Sequence, residues 1–166
     1  AAVTKIWNDA YAFKVMSGEL QPQLTPGAAG SAISTAQAQV AIEAATAFFH
    51  GCERGEGWAS CQRFSSADAT FTVQATDALP GPAVSACETA EQYTEWMKGV
   101  VEGMGEQATY EVNCSAFDSE SSTAIFVGTF GGFSQYVYTV RMEGGKVAAV
   151  TKIWNDAYAF KVLSGQ

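Results

Sequence analysis

The residues able to do chemistry are few, and their spacing limits what that chemistry is. His50 is the only histidine in the chain, so any imidazole acid–base step rests on it. One histidine without a second also argues against a zinc centre, which draws several ligands from His and Cys. Near the end of a helical stretch, His50 has a plainer role open to it, bonding unpaired carbonyls and answering the helix dipole. The best polar cluster inside an apolar stretch is Trp154-Asn155-Asp156. If the strand expected there lines a cavity, Asp156 is a general base, with Tyr138 or Tyr93 as proton donor to an enolate. The competing reading makes Asn155 and Asp156 a bulge or turn that bonds local backbone. Asp68, just ahead of another expected strand, reads as a turn residue.

The four cysteines, Cys52, Cys61, Cys87 and Cys114, are separated by 8, 25 and 26 residues and contain no CxxC. That spacing matches neither a zinc ribbon nor a redox motif. An even number permits three pairings, of which Cys52–Cys61 with Cys87–Cys114 closes the shortest loops. The alternative is four buried free thiols. Disulfides would imply an oxidising compartment and a secreted chain. Asn113-Cys114-Ser115 has the form of a glycosylation sequon, weakened by the cysteine inside it.

The elements that must position these groups follow from periodicity. Residues 34–50 read as a helix capped by Ser34 or Thr35, with Ile33, Gln37, Val40, Ala44, Ala47 and Phe48 near one face. Gly51, Gly55 and Gly57 break it, and a short helix follows from Trp58 to Phe64. Residues 69–75 alternate as a strand. Pro80, Gly81 and Pro82 make a loop, and Thr89 with Gln92 forms a capping box that opens a third helix. Beyond it the period becomes two, with strands expected at 108–117, 123–130, 136–142 and 147–160. Glu143-Gly144-Gly145-Lys146 is a hairpin signal. Helices first and a strand meander afterwards mean an α+β domain, its helices on one face of a curved sheet.

The chain of 166 residues is 48% apolar and only 16% charged, with 17 acids against 9 bases and a net charge of −8. Such a chain folds rather than staying disordered. It lacks the basic field that a nucleic-acid partner requires. No apolar run is long enough to span a bilayer, and the first residues lack the pattern of a signal peptide. Gly131-Gly132 and Gly144-Gly145 read as turns, since neither opens a helix that could cradle a phosphate. No cofactor or metal is expected.

One repeat stands out. Residues 1–18, AAVTKIWNDAYAFKVMSG, recur at 148–165 as AAVTKIWNDAYAFKVLSG, differing only where Met16 faces Leu163. A natural tandem array with a period of about 147 residues accounts for this better than a designed copy, which would have no reason to drift. The reading divides the chain into a tail strand (1–18) from a preceding unit, a Pro/Gly-rich linker (19–33) and one domain (34–166). Val3, Ile6, Trp7, Tyr11 and Phe13 give the tail its apolar load. Burying four such side chains contributes roughly 6–12 kcal/mol before ordering costs.

The words FFHGCERGEGWASC (48–61), ADATFTVQA (67–75), TAEQYTEWMKG (89–99) and YVYTVRMEGGKVAAVTKIWNDAYAFK (136–161) resemble the NTF2-like superfamily and its SnoaL-like polyketide-cyclase branch. The resemblance covers nearly all of 35–163. It implies a cone in which a curved antiparallel sheet wraps a long N-terminal helix around an apolar cavity. Catalytic members place an Asp–His or Asp–Tyr pair there, which here points to Asp156 with Tyr138 or His50. The short Gly128-Thr129-Phe130-Gly131-Gly132 turn departs from the longer, His-bearing loop of related sequences and argues against catalysis. The leading expectation is therefore an assembly module, one unit of a secreted tandem-repeat protein that joins head to tail through its duplicated strand. The alternative is a SnoaL-like cyclase or isomerase with a small apolar ligand.

Overall fold

The computed structural model describes residues 34–78 and 81–165. The tail and linker, with Val3, Ile6, Trp7, Tyr11 and Phe13, lie outside the described residues. Helix α1 spans Thr35–Glu53, α2 Trp58–Cys61 and α3 Ala90–Met104. The strands are β1 Ser65–Gln74, β2 Tyr110–Asp118, β3 Thr123–Phe130, β4 Ser134–Glu143 and β5 Lys146–Trp154. A final helix, α4, covers Asp156–Ser164.

Local chemistry starts both long helices as the sequence predicts. The Ser34 side chain accepts from the Gln37 N–H while Gln37 reaches back to the Ser34 N–H, and Thr89 and Gln92 do the same for α3. Each such cap is worth about 1 kcal/mol. Two details of α1 differ from expectation. Its core face is Ala41, Ala45, Phe48, Phe49 and Cys52, rotated by about one residue, and Val40 is 57% exposed. Gly51 does not end the helix, which runs on to Glu53. A Cβ on Gly51 would stand 2.9 Å from the Cys61 sulfur, so this glycine lets α2 pack closely.

The sheet order is β1-β5-β4-β3-β2. Strands β2 to β5 form the expected antiparallel meander, and β1 adds to β5 in parallel. Gly144 and Gly145, at φ 54° and 77°, make the β4–β5 hairpin turn, a geometry that requires positive φ at both central positions. Residues 124, 126, 128 and 130 of β3 and 136, 138, 140 and 142 of β4 face the core side in strict alternation. Phe49 of α1 stacks on Phe126 of β3, centroids 4.3 Å apart and 9° from parallel. Phe71 of β1 stacks on Tyr93 of α3 at 3.9 Å and 6°. The helices thus close one face of a curved sheet, and aromatic rings fill the space between.

Gly128 is what admits Tyr136 to that core. A Cβ there would lie 2.3 Å from the Glu111 carbonyl oxygen and 2.7 Å from the Tyr136 hydroxyl. Gly128→Ala is expected to lower stability by about 2 kcal/mol, because overpacking must move backbone. Chemical denaturation checks it, and an unchanged midpoint would show that β2 yields freely.

The strand expected at 147–160 stops at Trp154. Asn155 accepts from the Tyr158 N–H and caps α4, and Asp156 becomes its first residue. A side-chain cap, an acid in the first turn and alanines after it favour helix. Ala159 packs inward, while Tyr158 is 54% exposed.

Candidate functional site

The register brings Val73, Lys152, Tyr138 and Phe126 side by side across β1, β5, β4 and β3. Lys152 sits in phase with Val150 and Trp154, so its side chain goes into the core, where only 3% remains exposed. Its ammonium donates to the Tyr93 hydroxyl at 3.0 Å. It also stands over four rings, 5.1 Å from the Tyr138 and Trp154 centroids, 5.3 Å from Tyr136 and 5.6 Å from Tyr93. Such a cage stabilises a desolvated cation. The Tyr138 hydroxyl donates to that of Tyr93.

The counter-charge is Glu53, the last residue of α1, fully buried. No hydrogen bond closes on either of its oxygens, nor on the Tyr136 hydroxyl. Burial raises the Glu53 carboxyl above its ordinary range; Lys152, and then the nearby Tyr136 and Tyr138 hydroxyls, pull it back. Burial lowers Lys152, and Glu53 opposes that. Burial above all keeps the three tyrosines protonated, with Tyr93 and Tyr138 pushed well above the phenol range and Tyr136 raised as well. The result is a desolvated acid–base cluster within a ring-lined interior.

The predicted catalytic residues do not converge on it. Tyr138 belongs to the cluster, as does Tyr93. Asp156 is buried elsewhere, at the mouth between α4 and the segment after β1. It accepts from the Thr76 N–H at 2.9 Å, the Thr76 hydroxyl at 3.1 Å and the Ala78 N–H at 2.9 Å. All of these clip one loop to the helix start. His50 lies in the last turn of α1, its Nδ1 2.9 Å from the Tyr110 hydroxyl. Partial burial, then Arg54, hold its imidazole below the ordinary value.

A separate cavity of about 540 Å³ opens between α3 and the loop after β1. Trp96 and Trp154 meet in its wall at 69°, centroids 6.1 Å apart. The two indoles stand between this cavity and the cluster: Trp96 stacks on Tyr93 and Trp154 lies under Lys152. No group of three metal-ligating side chains occurs among the described residues. No helix among them is long and apolar enough to cross a membrane.

No protein-family model matches the sequence, and no curated protein matches it either. Solved structures do. An NTF2-like protein of unknown function from Cytophaga hutchinsonii superposes with a TM-score of 0.52 at 12% identity, covering 85% of this chain and 99% of its own. An NTF2-like protein from Anabaena variabilis gives 0.51 at 18% identity, covering 75% and 95%. The chain has the NTF2-like fold. A Bacillus subtilis protein provisionally named an isomerase is similar too, with a TM-score of 0.52 at 14% identity, covering 78% of this chain and 96% of its own.

Within the NTF2-like cone the four cysteines are unpaired in this structure. Cys52 and Cys61 are in contact: burial, then its bond to Cys61, pushes the Cys52 thiol up, while that bond holds Cys61 below its usual value. Of the pairings with the shortest loops, Cys87 with Cys114 is not brought together in this structure. Cys87 adjoins Glu88, whose carbonyl accepts from Phe71 on β1, whereas Cys114 is on β2 at the opposite edge. Four strand spacings are about 19 Å, far beyond the reach of a disulfide.

The cluster's two charges escaped the sequence reading for traceable reasons. Lys152 falls at i+2 from Val150 and i−2 from Trp154, a charged residue in an apolar phase. Glu53 falls at i+4 from Phe49, but a helix ended at Gly51 hides that spacing.

Proposed function

We propose that this protein is an assembly module of the NTF2-like fold, one unit of a secreted tandem array that associates through the segment it carries twice. One observation carries the reading: residues 148–165, the copy of 1–18, form the interior strand β5 together with helix α4. β5 is bonded on both sides, to β1 and to β4. The groups this segment presents find their partners on other elements, Lys152 on α1 and α3, Asp156 on the loop after β1. Lys5, Trp7, Asn8 and Asp9 repeat Lys152, Trp154, Asn155 and Asp156 in sequence. The first copy therefore suits a slot that the domain already fills from its own end. Its complement is the same slot of another unit, either joined in one chain or brought by association. Exchange between near-identical segments passes an unfilled copy onward, and a relation that does not close extends into a filament.

Light scattering after size exclusion tests this on the full chain and on a chain lacking residues 1–18. Concentration-dependent polymers are expected from the first and a monomer or closed dimer from the second. A Trp7→Ala, Lys5→Ala variant should lose polymers while keeping the domain's melting temperature. Equal masses for intact and shortened chains would overturn the reading.

A second reading, an isomerase or SnoaL-like cyclase, is favoured by the buried, unbonded Glu53 beside Lys152 and three phenols. A carboxyl with a raised pKa in an apolar interior is suited to moving a proton on a carbonyl compound. The ring-filled interior weighs against it.

A further inference from the structure

The cavity beside α3 is built differently from the core, and its lining states what it accepts. Three carboxylates border it, Asp77, Glu95 and Asp156, and among the described residues no lysine, arginine or histidine does. The indole N–H groups are already committed, Trp96 donating to the Pro82 carbonyl at 2.8 Å and Trp154 to the Ser134 hydroxyl. The tryptophans thus offer π-surface rather than donors, and their rings are held in place before any guest arrives.

The remaining wall comes from Val100, Met104 and two glycines of α3. Gly99 and Gly103 lie inside the helix, where each costs about 1 kcal/mol relative to alanine. Neither is there for close packing, since a Cβ at either would meet nothing within 4 Å. Their absence of side chains keeps the cavity open. On the opposite rim Asp77 holds φ 54°, an uncommon left-handed conformation for a residue with a Cβ. Its carboxylate is fixed by the Ser85 N–H at 3.1 Å and by the Ser85 hydroxyl. Glu95 is fixed likewise, accepting from the Trp58 N–H at 2.7 Å.

We infer that this cavity binds a small organic cation, a quaternary or tertiary ammonium group held against Trp96 with Asp77 and Glu95 as counter-charges. An ammonium bearing methyl groups needs no hydrogen-bond acceptor, is attracted to an indole face and gains from carboxylates a few ångströms away. A neutral ligand of the same shape would gain only the apolar contact, and an anion would be repelled. Lys152 stands over the Trp154 ring from the core and is opposed by Glu53, so Trp96 is the wall the guest uses. The volume, about 540 Å³, lies within the range of small-molecule sites. The inference does not depend on the assembly reading, because every residue it uses belongs to one domain.

The probe is choline, with 3,3-dimethylbutan-1-ol as its uncharged isostere, titrated into the full chain and followed by the ¹H–¹⁵N signals of the indole N–H groups. Choline is expected to shift the Trp96 and Trp154 signals saturably, with at least tenfold higher affinity than the alcohol, and the affinity should fall as salt rises. The double variant Asp77→Asn, Glu95→Gln keeps one oxygen for the Ser85 N–H and one for the Trp58 N–H, and the Ser85 hydroxyl can turn to accept from the new amide; it should weaken choline at least tenfold while leaving the alcohol unchanged. Gly99→Leu fills the cavity from a helical position with room for a side chain. It should abolish the shifts with the melting temperature retained or raised. Equal affinity for the two probes, undiminished choline binding in the charge variant, or no saturable shift in the wild type would each overturn the inference.

Discussion

Lys152→Met is expected to destabilise the domain by about 3–5 kcal/mol at pH 8 and by markedly less at pH 5. The asymmetry follows from what methionine leaves behind. It fills the space and keeps contact with the four rings, so little packing is lost. The Tyr93 hydroxyl loses a donor, a modest cost of about 1 kcal/mol. The large item is Glu53, fully buried with neither oxygen hydrogen-bonded. Stripping the partner from a buried charge is costly because the remaining charge has no compensation. Lowering the pH relieves that cost, because burial already favours the protonated Glu53 carboxyl. Glu53→Gln with Lys152→Met removes both charges and should recover most of the loss. Urea titrations at the two pH values measure it. An equal cost at both would mean that Glu53 does not sense Lys152.

The same pair sets a pH dependence in the wild type. Glu53 has a raised pKa in the folded state, so the folded protein binds its proton more tightly than the unfolded chain does. Its contribution is fully present below the ordinary value of 4.5 and is lost as pH rises from there through the folded pKa. Lys152, lowered by burial, acts in the opposite sense: its contribution grows as pH rises from its folded pKa toward 10.5. Stability should therefore sag between the two. In Lys152→Met the acid-side decline should reach higher pH, since the first influence restraining Glu53 is gone. Denaturation midpoints across pH 4 to 8 test this, and parallel curves for wild type and variant would refute it.

What could be read from the sequence was what depends on near neighbours. Alternation in 123–130 and 136–142, the Gly-Gly turn and both capping boxes are short-range signals, and they placed β3, β4, the hairpin and the starts of α1 and α3. The NTF2-like fold was legible in that element order and in the quoted words. The cluster was not, because it is made by long-range register. Lys152 looks like an ordinary strand cation until β4 and α3 lay Tyr136, Tyr138 and Tyr93 around it. Glu53 is lost with the last turn of α1, because Gly51 reads as a stop although its missing side chain serves the approach of Cys61. The end of β5 misled for a related reason: Asp-Ala-Tyr-Ala-Phe alternates well enough for a strand, and only the Asn155 cap distinguishes a helix. The parallel pairing of β1 with β5 has no local signature at all.

Asp156 repays a closer test, because the acid–base and structural readings of it part cleanly. Its carboxylate receives two backbone N–H groups and one hydroxyl, all from Thr76 and Ala78, and it is fully buried. Asp156→Asn is expected to cost about 2–3 kcal/mol, because an amide can accept on only one side and turns its own donors toward N–H groups. Asp156→Ala should cost at least as much, leaving the loop's donors without a partner. Thr76→Val removes only the hydroxyl and should cost about 1 kcal/mol. A general base would behave otherwise, with asparagine folding as well as aspartate and differing only in a rate. The two aspartates of the repeat sharpen the argument. Asp9 occupies in the first copy the position that Asp156 occupies in the second. If exchange occurs, a chain carrying Asp156→Ala with an intact residue 9 should recover stability as concentration rises and polymers form, while the same substitution at both positions should not. Melting temperatures of the two variants across a hundredfold range of concentration decide it. A concentration-independent deficit in the single variant would confine residues 1–18 to some other role and leave Asp156 as the clip of one isolated domain.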